Sequence, residues 1–318
     1  MRFRGWMFGA AVALAVGGCG SGGGGSQRYL TIATGGTGGV YYPLGGALAQ
    51  IYSAALPGVN ASAQSTVASV FNVQAVQQGR ADLAFTMGDI AWFAYDRGTD
   101  ADPTPHRKLR AMAVLYVNTL QIVARGDGEI QTDQDLRGRR VGVGAPASGT
   151  EVSARIVIEG HGLSYSDVRQ DYLSFSEVAA QIQDRTLDAG FVSASYPVSA
   201  ITDASMTVGV RLLPISPDAL ARIREQYTFF KPVTIPAGTY RGQDADIPTL
   251  GVDNLLVVSE DLPDDLVYDM TRVFFESLPD LALTHVAAKE VDPAAARTSP
   301  IPLHPGAERY YREQGHLP

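Results

Sequence analysis

Residues 30–43, Leu30-Thr31-Ile32-Ala33-Thr34-Gly35-Gly36-Thr37-Gly38-Gly39-Val40-Tyr41-Tyr42-Pro43, read as a short apolar strand that runs through a glycine-rich turn into a helix. Glycine frees the backbone to turn sharply and to approach a guest closely. The helix that follows offers unpaired N–H groups and the positive end of its dipole to an anion. About 110 residues further on the plan recurs, where Val141-Gly142-Val143 leads into Gly144-Ala145-Pro146-Ala147-Ser148-Gly149-Thr150-Glu151. Two such segments predict the two halves of one ligand-binding cleft.

Between and beyond them the chain alternates strand and helix, the pattern of an α/β protein with a parallel sheet. Apolar spacing predicts a helix over 44–56, stopped at Pro57-Gly58, a strand over 60–65, and a helix carrying Val70, Val73 and Val76 that Gly79 closes. A strand over 82–86 ends at Met87-Gly88-Asp89, the edge at which ligands gather in open α/β sheets. The second half is expected to hold a strand over 140–143, helices over 150–160 and 177–185, and strands over 187–192 and 210–215. There Ser216-Pro217-Asp218 reads as the cap of a helix ending near Tyr227. Two long β-rich runs, 109–124 and 250–259, would carry the chain out of a first lobe and back. Two lobes joined by two crossing hinge strands make a clamshell, divided as 27–120 with 252–318 (lobe I) and 121–251 (lobe II).

At 318 residues, 45% hydrophobic and 18% charged, the chain has the composition of ordinary globular material with room for both lobes. A single cysteine excludes a disulfide framework, and a formal charge of −8 argues against nucleic acid as a partner. Arg2 and Arg4 precede an apolar stretch over 5–18 that is too short to span a bilayer and has the layout of a signal peptide. It ends at Val16-Gly17-Gly18-Cys19, which resembles a bacterial lipobox. Residues 1–18 are therefore expected to be a lipoprotein signal peptide, Cys19 the lipidated residue, and 19–26 a Gly/Ser linker. The expected place is periplasmic or at the cell surface, tethered to a membrane through Cys19.

Catalytic and cofactor readings find little support. Gly142-x-Gly144-x-x-Ala147 fits a relaxed dinucleotide fingerprint, but Pro146 falls inside it, and Gly144-x-x-x-x-Gly149 is followed by Thr150 where a phosphate loop needs lysine. The five histidines show no paired metal spacing, and no Gly-x-Ser-x-Gly elbow is present. We expect no cofactor, no metal, no catalytic residue and no enzyme activity. Binding residues are argued more directly. Ser148, Gly149 and Thr150 open a helix, where their hydroxyls and N–H groups either cap it or hold a carboxylate. Tyr41 and Tyr42 offer apolar rings with polar tips, although neighbours on a helix point in different directions. Asp89 either accepts from a ligand amine or caps the helix that follows it. The stretch 191–197, ending at Pro197, closes the second lobe's side of the cleft.

The glycine-rich run 35–43, Ala81-Asp82-Leu83-Ala84, the run 144–151, and His304-Pro305-Gly306-Ala307-Glu308-Arg309-Tyr310-Tyr311 together resemble the TAXI family of TRAP-transporter solute receptors. That resemblance implies a type II periplasmic-binding-protein fold. It also implies delivery of a small organic acid, often glutamate or a related dicarboxylate, to a TRAP permease driven by an ion gradient. It places ligand contacts at Thr37, Gly38, Gly39 and Tyr41 or Tyr42 in the first turn, and at Ser148, Gly149 and Thr150 in the second. Two departures alter the expected cleft. Thr66-Val67-Ala68-Ser69 stands where such receptors tend to read Thr-Gly-Gly-Ser, and Met87-Gly88-Asp89 where they tend to read Gln-Ser-Asp. Ser69 and Asp89 are then the polar groups left near it. The expected partners are a small organic anion or amino acid, the membrane subunits of a TRAP permease, and the membrane itself through the lipid anchor. The alternatives are a ligand sensor for a signalling protein and an enzyme on the same clamshell, which would need an acid/base pair that the sequence does not show.

Overall fold

The apolar run that opens the chain forms β1 (Arg28–Ala33), burying Leu30, Ile32 and Ala33, in a computed structural model that describes residues 27–318. The expected signal peptide, Cys19 and the Gly/Ser linker lie outside the described residues. Helix α1 (Tyr41–Ala55) returns the chain to β2 (Val59–Gln64), parallel to β1 on one side. Helix α2 (Ser69–Gln77) then crosses to β3 (Leu83–Met87), parallel to β1 on the other side and buried along its whole length. A strand covered on both faces reads as a continuous apolar run, which is why 83–87 was legible without alternation. Helix α3 (Gly88–Arg97) and a surface loop lead into β4 (Leu109–Arg125).

The second half repeats this unit. Strand β5 (Arg140–Gly142), α4 (Gly149–Gly160), β6 (Arg169–Asp171), α5 (Phe175–Gln183) and β7 (Ala189–Ala194) give three parallel strands in the order β6-β5-β7. Helix α6 (Ser199–Thr207), β8 (Val210–Leu213), α7 (Pro217–Gln226) and β9 (Lys231–Ile235) complete the lobe. Strand β10 (Ile247–Ser259) leaves it, and α8 (Asp264–Glu276), α9 (Leu278–Thr284) and α10 (Pro305–Glu313) pack on the first lobe. The sequence reading missed β6, α6 and β9. Strand β6 is the polar tripeptide Arg-Gln-Asp, a strand only because β5 lies beside it.

All ten strands join one curled mixed sheet, in the order β2-β1-β3-β10-β4-β7-β5-β6 with β8 on β4 and β9 on β10. Strand β4 pairs with β10 from Leu109 to Thr119 and with β7 from Thr119 to Ala124, so it changes lobes without leaving the ladder. Strand β10 does the same at Gly251, between β9 and β4. The architecture is thus an α/β clamshell of two lobes with two hinge strands. In each lobe the connections run to opposite sides of the first strand, β1 or β5. That reversal opens a crevice at the strand's carboxyl end, and ligands bind in such crevices.

The C-terminal segment is tied to the hinge. The amide of His304 donates to Ala111 O at 2.9 Å, and the Tyr311 hydroxyl donates to Met112 O at 2.9 Å. His304 itself is fully buried and accepts from Gly306 N at 3.2 Å, so it serves as the N-cap of α10.

One buried amide fastens the first lobe's loops beneath the expected cleft. Asn72 Nδ2 donates to Thr34 O at 2.6 Å and to Phe85 O at 2.7 Å, and Asn72 Oδ1 accepts from the Thr66 hydroxyl at 2.7 Å. Replacing it removes a donor from the buried Phe85 O, while the Thr66 hydroxyl still reaches Thr34 O at 2.9 Å, so one buried group is left short at a cost of about 1–3 kcal/mol. Asn72→Ala should therefore lower stability by about 1–3 kcal/mol and Tm by several degrees in a thermal melt. A change below about 1 kcal/mol would show that the loops are held by other means.

Candidate functional site

A cavity of about 280 Å³ lies between the lobes, at the carboxyl ends of β1 and β5. This is near the lower end of small-molecule sites, so it suits a small guest. Its walls are the N-terminal ends of four helices. Val40 and Tyr41 bring α1, Ala68 and Ser69 bring α2, Ser148 and Gly149 bring α4, and Ser174 and Phe175 bring α5. Each such end carries free N–H groups and roughly half a positive charge.

The four ends are not alike. In the second lobe Ser148 Oγ accepts from Glu151 N at 3.2 Å and Ser174 Oγ from Glu177 N at 3.3 Å, so side chains cap α4 and α5. The first lobe places Val40 and Ala68 at the caps of α1 and α2, where neither side chain can accept a hydrogen bond. Ala68 also holds φ 74° and ψ −145°. That conformation is nearly reserved for glycine and typically costs about 1–3 kcal/mol. Strained backbone thus meets, at the cavity, helix starts without side-chain caps, where Phe71 N of α2 is already bonded to Ala147 O and Pro43 of α1 has no N–H to offer.

The glycines of the two turns serve different ends. None of those over 35–39 has a positive φ, so sharp turning is not their role. A Cβ on Gly38 would lie 2.3 Å from Ser176 Oγ of the other lobe, so close approach is what that position requires. Gly144 does need its freedom, with φ 98° and a Cβ that would meet Thr150 Cβ at 2.8 Å.

The structure brings most of the expected site residues together. Thr37, Gly38, Gly39, Tyr41, Ser69, Ser148, Gly149 and Thr150 all line the cavity. Three do not. Tyr42, one residue round α1 from Tyr41, is turned outward and 38% exposed. Pro197 lines a separate groove on the rim. Asp89 is fully buried outside the cavity wall. Tyr41 stacks on Phe85 with centroids 5.3 Å apart and donates its hydroxyl to Asn254 Oδ1. Burial pushes its pKa far upward, so it remains a neutral donor.

Sequence reasoning missed Asn118, Ser65 and the stretch Ser174–Ser176, all in the wall. Two signals were available. Asn118 interrupts the apolar run of β4, and Ser174 with Glu177 is a capping box that marks a helix start. Asn118, Thr150 and Ser193 are 3%, 5% and 7% exposed, and their side chains make no hydrogen bond among the described residues. Apart from Tyr41, no ionisable residue among the described residues lines the cavity. No group of three or more His, Cys, Asp or Glu side chains suited to a metal is present among the described residues.

The lobes touch around the cavity. Phe71 N donates to Ala147 O at 3.1 Å, and Ser199 Oγ to Gly38 O at 3.4 Å. Phe93 of α3 meets Phe229 of the other lobe edge-on at 5.5 Å between centroids.

The sequence model of the NMT1-like family matches residues 32–315. Among solved structures, the chain is similar to the periplasmic aliphatic sulphonate binding protein SsuA from Escherichia coli, at 18% identity and TM-score 0.51, covering 92% of this chain and 84% of that one. A protein of Bordetella bronchiseptica RB50 matches at 14% identity and TM-score 0.58, over 90% of this chain and 98% of that one. A putative L-cystine ABC transporter from Listeria monocytogenes matches at 11% identity and TM-score 0.50, over 83% and 98%. At such identities the likeness shows the fold, that of type II periplasmic binding proteins. The resemblance to TAXI receptors is corrected by these findings: the chain matches the NMT1-like family, and the neighbours named for a role are a sulphonate-binding protein and a putative ABC transporter, not TRAP receptors. The TRAP permease and the glutamate-like ligand rested on that resemblance and fall with it. The turn motifs carry backbone geometry that the fold needs, which is why they did not discriminate between transport systems.

Asp89 offers a test of the wall. Its Oδ1 accepts from Ile90 N at 2.9 Å while Oδ2 has no partner, and burial raises its pKa from 3.8 to about 7. The fold therefore favours the neutral acid, and the native residue costs stability as pH rises from 3.8 through about 7. Asp89→Asn should raise stability by up to roughly 4 kcal/mol near pH 8 and change it little near pH 4, read from melts at both. An equal effect at the two pH values would mean that the carboxylate is paired in solution.

Proposed function

From the premise that the chain belongs to the NMT1-like family, we propose that it is an extracytoplasmic solute-binding protein that takes a small organic anion between its lobes and hands it to a membrane importer. The observation that carries this reading is the set Asn118, Thr150 and Ser193, nearly buried polar side chains that face the cavity without a partner. Buried polar groups are almost always hydrogen-bonded, so a guest is the natural partner for these. Uncapped helix ends beside them favour an anionic guest.

Closure supplies the signal. The ligand touches α1 and α2 on one side and α4 and α5 on the other, so its contacts are complete only when the lobes meet. Such differential contact is what shifts a two-state equilibrium. The lobe division expected from the sequence, 27–120 with 252–318 and 121–251, is supported by the partner changes of β4 at Thr119 and β10 at Gly251. An ABC-type importer is the favoured partner, because one structural neighbour is named as a putative ABC transporter. Tethering through a lipidated Cys19 rests on the sequence. A cavity with Tyr41 as its one ionisable residue has no acid/base pair for turnover, which favours binding over catalysis.

Melting of the full chain, freed of carried-over ligand by unfolding and refolding, tests this against organic acids, sulfonates and sugars added singly. A ligand at 100 times its Kd adds about 2.7 kcal/mol and raises Tm by several degrees. Shifts from small organic anions and none from sugars are expected; no shift with any of them would overturn the reading. In the same assay Thr150→Val should weaken ligand binding about tenfold and leave the ligand-free Tm unchanged, because Ser148 is the cap of α4.

A further inference from the structure

Among the described residues, the cavity wall holds helix N-termini but no cationic side chain and no carboxylate. Four helix ends, on helices of 15, 9, 12 and 9 residues, converge on it, and every other wall residue is neutral. An ammonium group drawn into this space would face the starts of α1 and α2, which have no acidic residue in their first turns, whereas the α5 end is offset by Glu177, whose carboxylate accepts from Ser174 N at 2.8 Å; it would find no carboxylate in the wall among the described residues. The nearest candidate acceptor of the sequence reading, Asp89, is sealed outside the wall. An amino acid would therefore lose the solvation of its ammonium and gain no partner for it, which is the costly case of an unpaired buried charge. An oxyanion head meets the reverse situation: the N–H groups at the uncapped starts of α1 and α2, and the free amide of Asn118.

Asn118 stands apart from the other polar wall residues. It lies on the hinge strand itself, opposite Val252 and one residue before β4 passes from β10 to β7. Its side chain is 3% exposed, faces the cavity and is unpartnered among the described residues. As an amide it donates to an oxyanion without adding charge, whereas the isosteric aspartate could only accept. The remaining wall, with Val67, Met87, Phe175 and Ala194, suits a short apolar body.

We propose that the cavity selects a short oxyanion, carboxylate or sulfonate, that bears no ammonium group, and that Asn118 is the residue that sets this selection. The inference rests on the receptor reading above and deepens it.

Calorimetric titration of the ligand-stripped full chain with paired probes tests it: butyrate against 2-aminobutyrate, and ethanesulfonate against 2-aminoethanesulfonate. The unaminated member of at least one pair should bind at least tenfold more tightly than its aminated partner, and whichever pair responds distinguishes carboxylate from sulfonate. Asn118→Asp should reverse the preference, losing tenfold or more for the anion while gaining for the aminated probe. Asn118→Ala, which buries no charge, should lose affinity for the anion and gain none for the amine. Aminated probes that bind as tightly as their parents, or an Asn118→Asp protein that keeps the original preference, would overturn the inference and leave the receptor reading standing. No heat with any probe, together with no melting shift across the wider panel, would overturn both.

Discussion

The continuous backbone of the two crossing strands, paired to each other from Leu109 to Thr119 with two register shifts along the way, is the constraint on which the rest of the structure depends. Thr119 of β4 faces Gly251 of β10 on one side and Ala194 of β7 on the other, so neither lobe can move without twisting the same strands. Backbone groups buried away from water must stay paired, and a continuous strand keeps them paired in both lobes. Motion is thereby confined to a bend of two strands, the hinge mode of clamshell proteins. Asn118 sits beside that bend and in the cavity wall, so the wall includes the hinge as well as the lobes.

Electrostatics then does what composition alone would not predict. The chain is acidic overall, yet its cavity is walled by the positive ends of four helices and by neutral side chains. Helix ends deliver partial charge through backbone that is already hydrogen-bonded along the helix, so no charged side chain needs to be desolvated. Leaving α1 and α2 without capping side chains, and holding Ala68 in a strained conformation, sacrifices stability at the place where a guest would recover it. Asp89 shows the complementary arrangement. Its carboxyl is buried and its pKa raised to about 7, so it carries less negative charge at neutral pH than an exposed aspartate would.

Much of this was legible in the chain. The strand–turn–helix plan at 30–43 and 141–151 placed both halves of the cleft. Long apolar runs marked β4 and β10, and helix starts at Ser148 and Ser216 followed cap chemistry. What failed had a physical reason in each case. Strand β6 has no apolar pattern of its own, and Tyr42 and Asp89 differ from true wall residues only in the direction they face. The family resemblance went astray because turn and cap motifs report a backbone geometry shared across a fold, and fold alone does not fix function.

By itself the sequence determined the elements: where strands and helices begin, that they alternate, that two glycine-rich turns open two helices, and that two long strands join two lobes. These follow from local preferences and from apolar periodicity, both of which act within a few residues. Only the tertiary structure decided which of the exposed and polar residues meet. It brought Asn118 together with Thr150 and Ser193, turned Tyr41 inward and Tyr42 outward, sealed Asp89 away, and pointed four helix ends into one neutral cavity. Those outcomes depend on pairing registers between segments far apart in the chain, and local preferences carry no information about them.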